Sequence, residues 1–147
     1  MKGTAPHYGI IDYMSFVTFF PQLIAGPIVR YSDIENQLLE RSVQYANIYL
    51  GIWRFTMGLG KKVLIGNALG ELCEIFKASG EKSVVFYWIY AVAFTLHIYY
   101  DFSGYSDMAI GMAKMLGIQT KENFWYPYFS KNIKEFWKCW HISLSSW

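Results

Sequence analysis

Polar interruptions divide the chain into apolar runs of unequal quality. The cleanest, Ser83 to Tyr100 (SVVFYWIYAVAFTLHIYY), holds no side chain with a formal charge at neutral pH. Its length lies at the lower edge of what a helix needs to cross a bilayer, about 18–20 residues. It predicts a transmembrane helix, with Glu81 and Lys82 before it and Asp101 after it. A helix buried in a large soluble core is the alternative. A second run, Ile10 to Val29, is broken by Asp12, Pro21, Gly26 and Pro27. Each break frees backbone groups that lipid cannot satisfy, so kinked, re-entrant or protein-buried backbone is expected there.

Between Ala46 and Leu69 the basic residues Arg54, Lys61 and Lys62 fall among apolar positions at roughly helical spacing. That is the pattern of an interfacial or inner helix whose basic side chains snorkel to one surface. Gly51, Gly58, Gly60 and Gly66 in this stretch would let other helices approach closely. Arg30 to Gln44 and Glu71 to Lys82 read as polar connectors too short to be domains, and Met108 to Ile118 as a further moderately apolar stretch. The last segment, Lys121 to Trp147, interleaves Lys and Glu with Phe124, Trp125, Tyr126, Tyr128, Phe129, Phe136, Trp137 and Trp140. It reads as amphipathic and close to a membrane surface. No internal repeat or low-complexity tract is present, and charge asymmetry between the loops is too weak to fix an orientation.

Composition supports this reading. Apolar side chains make up 54% of the 147 residues and charged ones only 16%, against about a quarter charged in globular proteins. Six Trp, twelve Tyr and eleven Phe would overfill a small soluble core but suit a protein whose Trp and Tyr settle at the lipid–water interface. A formal net charge of +2 is too mild for a nucleic-acid binder, and no such partner is expected. Cys73 and Cys139 have neither metal-ligand spacing nor the density of a disulfide scaffold, so both are expected to be reduced packing residues. No cleaved targeting peptide is evident at the N-terminus.

Three strings carry candidate chemistry. Phe20-Pro21-Gln22-Leu23-Ile24-Ala25-Gly26-Pro27-Ile28 forces irregular backbone at membrane depth, tolerated only where protein or a water-filled cavity receives the freed polar groups. Tyr99-Tyr100-Asp101-Phe102-Ser103-Gly104-Tyr105-Ser106-Asp107 puts carboxylates and hydroxyls at the end of the best span. Ionisable groups there are costly and therefore functional candidates, although Asp101 or Ser103 would equally suit the N-cap of a new helix. In Phe136-Trp137-Lys138-Cys139-Trp140-His141-Ile142-Ser143-Leu144-Ser145 a histidine sits among tryptophans and serines. A hydroxyl or carbonyl can hold one tautomer, and a pKa near neutrality suits His141 to take a proton from an attacking alcohol. A satisfied structural histidine is the competing reading. His97 reads as a packing or tunnel-lining residue and His7 as solvated.

The segments FFPQLIAGPIVRYSDI, IYYDFSGYSDMAIG and FWKCWHISLSSW, collinear from about Ser15 to Trp147, resemble the membrane-bound O-acyltransferase family, specifically its bacterial alginate O-acetylation branch. The resemblance implies an all-α fold of polytopic membrane helices with kinked or re-entrant segments, part of a larger helical ring around a tunnel. Residues 1–147 would be a single membrane-domain fragment, truncated on the C-terminal side and also on the N-terminal side. It implies a multi-pass protein of the bacterial inner membrane. A thioester donor approaches from the cytoplasm, no cofactor is bound, and an acyl group, usually acetyl, passes toward an exported polysaccharide such as alginate with help from periplasmic partner proteins. His141 matches the histidine of the family's WHxSLS motif, regarded as part of the active site. Asp101, Ser103, Tyr105 and Asp107 are given supporting roles. The family's second histidine lies downstream and has no counterpart before Trp147, and His97 stands where relatives are expected to carry a polar residue such as Gln. A non-enzymatic membrane transport module and an inactive truncated product are the competing readings.

Overall fold

The computed structural model describes residues 9–22, 26–39, 42–80 and 83–146, and these are helical or irregular with no extended sheet. Among the described residues the α-helices are, in order, α1 Ile10–Val17, α2 Tyr31–Leu39, α3 Tyr45–Gly60, α4 Asn67–Ala78, α5 Val84–Met115, α6 Ile133–Cys139 and α7 Ile142–Ser145. A π-helical segment, Lys61–Gly66, joins α3 to α4, and short 3₁₀ turns occupy Phe20–Gln22 and Pro127–Phe129. The polar connectors expected at 30–44 and 71–82 therefore contain α2 and much of α4. His7, Leu23, Ile24, Ala25 and Trp147 lie outside the described residues.

The organising element is α5. Ser83 caps it, its hydroxyl accepting from the Phe86 N–H at 3.3 Å, and the helix then runs 32 residues, roughly 48 Å at 1.5 Å per residue. It passes straight through Asp101 and Ser103, so neither caps a new helix, and Met108 to Met115 continues the same rod. Among the described residues no helix is long and apolar enough to cross a membrane. The expectation for Ser83–Tyr100 is met as a helix but not as an apolar span. The reason is composition: Tyr87, Trp88, Tyr90, His97 and the Tyr99-Tyr100-Asp101 end dilute its aliphatic residues.

What α5 offers its neighbours is a face of small side chains: Ser103, Gly104, Ser106, Ala109, Gly111 and Ala113 are all buried. Helix α3 packs antiparallel on that face through reciprocal glycine contacts. A Cβ at Gly58 would stand 2.6 Å from the Gly104 carbonyl oxygen, and one at Gly104 would stand 2.8 Å from the Gly58 oxygen. Seven residues along, Gly51 and Gly111 meet in the same way, each 2.7 Å from the other's carbonyl oxygen. The two backbones approach as they do in small-residue helix pairs. Gly66 likewise faces the Asp101 backbone, whereas Gly60 has open space beside it.

The close approach brings charged groups together. Arg54 on α3 donates to Asp107 from Nε at 2.8 Å and from Nη2 at 2.6 Å, and to Glu122 from Nη1 at 2.8 Å. Lys61 reaches the second Asp107 oxygen at 2.6 Å, and Lys62 pairs with Asp101. The basic side chains expected to snorkel to a surface turn inward instead, because carboxylates of α5 and of the following loop wait there.

Beyond the helix pair, a small core of Phe19, Ile34, Ala113 and Ile118, flanked by Phe16, Val29, Leu38 and Leu116, ties the N-terminal elements to the end of α5. Gly26 lies against Pro21 and the Ala109 methyl, where a Cβ could not fit. Much of the apolar surface has no cover: Leu64, Val84, Val85 and Trp88 are exposed, which in a protein wholly surrounded by water would be an aggregation liability. Cys73 is buried and Cys139 half-buried, both as free thiols.

Candidate active site

After α5 the chain loses regular structure and doubles back. Phe124 and Trp140 form an isolated antiparallel bridge, supported by Trp125 N–H donating to the Cys139 carbonyl at 3.0 Å and Ile142 N–H to the Asn123 carbonyl at 2.9 Å. Between them, α6 starts at Asn132, whose side chain accepts from the Glu135 N–H at 2.9 Å, while the Glu135 carboxylate returns to the Lys131 N–H at 2.9 Å. This reciprocal exchange satisfies donors that a helix start leaves free.

An aromatic cluster closes over the bridge. Phe124 packs edge-on against Phe102 of α5 at 5.0 Å and against Trp140 at 5.1 Å. Trp140 stacks on Phe136 at 5.6 Å. The Tyr128 hydroxyl donates to the Thr95 carbonyl of α5 at 2.9 Å, pinning this layer to the helix.

His141 sits at the end of the cluster with a left-handed backbone, φ 48° and ψ 56°, as the residue that starts α7. Non-glycine residues seldom adopt this conformation, which costs about 1–3 kcal/mol and gathers at functional sites. Its ring meets Phe102 edge-on at 5.0 Å, and its Nδ1 lies 3.3 Å from the Ser143 hydroxyl oxygen. Partial burial lowers its pKa below the ordinary value of 6.5, so the imidazole stays neutral, and able to accept a proton, to lower pH than a solvated histidine.

Ser143 is the junction. Its hydroxyl oxygen lies 2.8 Å from Asn123 Oδ1 and 3.0 Å from the Ile28 backbone N–H, and its own backbone N–H donates to Asn123 Oδ1 at 3.2 Å. Arg30 adds a bond to the Ser146 carbonyl at 2.8 Å. All three strings singled out in the sequence thus meet here: Ile28 from the first, Phe102 from the second, His141 and Ser143 from the third.

The supporting candidates fall elsewhere. Asp101 and Asp107 are occupied by the lysines and arginine of α3 and the π segment. The Ser103 hydroxyl is buried without a hydrogen-bond partner among the described residues and lines a cleft of about 280 Å³ with Arg54, Lys61, Tyr99, Asp107 and Phe124. Tyr105 is half-buried on α5. Among the described residues no hydrogen bond or ion pair joins these four to His141. His97 accompanies the helix packing: its Nδ1 lies 2.8 Å from the Gly66 carbonyl, and its ring covers Gly70. Asn123 was not legible as a site residue, since a lone Asn in a loop carries no spacing signal. Its only advance mark is its place before the Phe-Trp-Tyr run.

His141 thus sits in left-handed backbone beside a serine hydroxyl and against an aromatic ring, at the point where the three strings converge. The signature of the MBOAT, membrane-bound O-acyltransferase family matches residues 3–147. The chain is 43% identical over 147 residues to the probable alginate O-acetylase AlgI of Pseudomonas aeruginosa, covering 99% of this chain and 28% of that protein. It is 42% identical over 139 residues to the peptidoglycan O-acetyltransferase of Helicobacter pylori, covering 92% and 26% respectively. With the teichoic acid D-alanyltransferase of Bacillus subtilis it shares 35% identity over 136 residues, covering 90% and 34%. The chain belongs to the membrane-bound O-acyltransferase family, and it spans between a quarter and about a third of the length of these relatives.

Proposed function

We propose that this chain supplies the His141 segment of a bacterial inner-membrane O-acyltransferase that moves an acyl group, most simply acetyl, from a thioester donor to a hydroxyl of an exported polysaccharide. The observation that carries the reading is the convergence of three separate strings on His141 and Ser143 in a chain of this family. The names of its relatives describe acetyl transfer to alginate and to peptidoglycan and D-alanyl transfer to teichoic acid, and acylation of a polymer is common to them.

In this reading His141 takes the proton from the acceptor hydroxyl as its oxygen attacks the thioester carbonyl. The new C–O bond forms, the C–S bond breaks, and the thiolate leaves with the carrier. Exclusion of water by the aromatic cluster favours the alcohol over hydrolysis. Exposed apolar faces of α3 and α5 meet lipid or further helices of a larger ring around a tunnel, and periplasmic proteins receive or present the polymer. Asp101 and Asp107 support the site at one remove, by fixing α5.

The test is acyl transfer from a labelled thioester by membranes containing the full-length enzyme, followed across pH. The imidazole must be neutral to act, and its pKa is lowered, so the rate falls on acidification with a midpoint below 6.5. A midpoint above 6.5, or label transferred to water alone, contradicts the reading.

A further inference from the structure

We infer that Asn123 is a positioning residue that acts through Ser143 to keep the His141 proton on Nδ1, leaving the Nε2 lone pair free for the acceptor hydroxyl. This rests on the general-base reading above and deepens it.

The Ser143 oxygen has one proton to give and three neighbours: the Ile28 N–H at 3.0 Å, Asn123 Oδ1 at 2.8 Å and His141 Nδ1 at 3.3 Å. A backbone N–H only donates, so Ile28 occupies one lone pair of the hydroxyl. The orientation of the Asn123 amide is fixed in the same way. The Ser143 backbone N–H also points at that amide atom, at 3.2 Å, so the atom facing Ser143 is the oxygen and not the nitrogen. An amide oxygen only accepts. The single hydroxyl proton of Ser143 therefore goes to Asn123, along the shorter of the two side-chain contacts. What remains for His141 is a lone pair, and the imidazole must donate from Nδ1.

The surroundings protect this order. Asn123 is 1% exposed and Ser143 4% exposed, so water does not compete for either partner. The groups that face the His141 ring, Phe102 from α5, Ser143 from α7 and the histidine's own backbone, are uncharged, and its pKa is lowered by burial against the opposing pull of that backbone hydrogen bond. The irregular Gly26-Pro27-Ile28 backbone gains a use, since it delivers the amide that fills the other lone pair. Without the Asn123 oxygen, the Ser143 hydroxyl would turn its proton toward Nδ1 and favour the tautomer with hydrogen on Nε2, which cannot accept a proton there.

The experiment measures kcat, KM and the acid limb of the pH–rate profile for Asn123→Asp and Ser143→Ala in the full-length enzyme, with His141→Gln alongside. Asn123→Asp keeps an oxygen for both Ser143 donors and adds a negative charge near the imidazole. Its acid limb should move to higher pH by about one unit. Ser143→Ala keeps the Ser143 N–H bond to Asn123 Oδ1 and removes the hydroxyl that accepts from the Ile28 N–H and meets His141 Nδ1, so kcat should fall about tenfold or more with KM unchanged. An acid limb that stays in place in Asn123→Asp, or a wild-type kcat in Ser143→Ala, overturns the inference. If Asn123→Asp does not accumulate, Ser143→Ala decides alone. An inactive His141→Gln beside an unmoved limb rejects only the positioning role, whereas an active His141→Gln rejects the general-base reading itself.

Discussion

The packed pair of α3 and α5 and the loop cluster around His141 deal with polar groups in opposite ways. In the helix pair, backbones touch at Gly51, Gly58, Gly104 and Gly111, and the carboxylates between them are matched to Lys61, Lys62 and Arg54. Opposite charges hold the two rods in register. Around His141 the backbone is irregular, a non-glycine residue sits at φ 48°, and one serine hydroxyl is shared among a backbone amide, an asparagine and the imidazole. Under the proposed function the region richest in ionisable residues is scaffold, and the candidate base lies where regular structure ends.

Gly104→Leu should break the scaffold most severely. Its Cβ would meet backbone atoms of Gly58 and Lys62 at 2.8 and 3.0 Å, and backbone cannot give way as a flexible side chain can. A cost of about 3 kcal/mol or more is expected, read as loss of folded protein from membranes with no altered specific activity in whatever remains. Asp107→Ala comes next. It strands Lys61 and leaves Arg54 to Glu122 alone among the ion pairs of the described residues; breaking a buried pair costs up to about 3 kcal/mol, and less here because both cations are one-third exposed. Thermal stability in detergent should drop while KM and the pH profile per folded molecule hold. A shifted profile would place Asp107 in the chemistry and erase the distinction. His97→Gln is the smallest change. The new amide can still donate to the Gly66 carbonyl, so the loss should be under about 1 kcal/mol and activity should be near normal.

Much of the scaffold was legible in the sequence, and the reason is local. Gly51, Gly58 and Gly66 announce close packing, since glycine inside an apolar helical run admits a neighbouring backbone, whereas Gly60 in the same run meets only open space. The Pro21, Gly26 and Pro27 breaks announce irregular backbone because proline removes a donor. Other features depended on partners distant in sequence. Whether Lys61 snorkels outward or pairs inward is decided by Asp107, 46 residues away, and no periodicity encodes that choice. Continuity of α5 through Asp101 was hidden because Asp and Ser favour caps until lysines from another helix neutralise them. His141 was legible through its motif, while Asn123 and the Ile28 amide were not, since their roles exist only once three separate segments are folded together.

The central claim is that His141 carries chemistry while the charged face of α5 carries structure, and one paired measurement tests it. His141→Gln and Asp107→Asn are compared in the full-length enzyme for acyl transfer per folded molecule and for melting temperature. The account predicts that His141→Gln melts near wild type and loses about two to four orders of magnitude in rate, the range for a positioned acid or base. Asp107→Asn should melt lower and keep its rate per folded molecule. A His141→Gln enzyme with wild-type transfer at normal abundance would contradict the account.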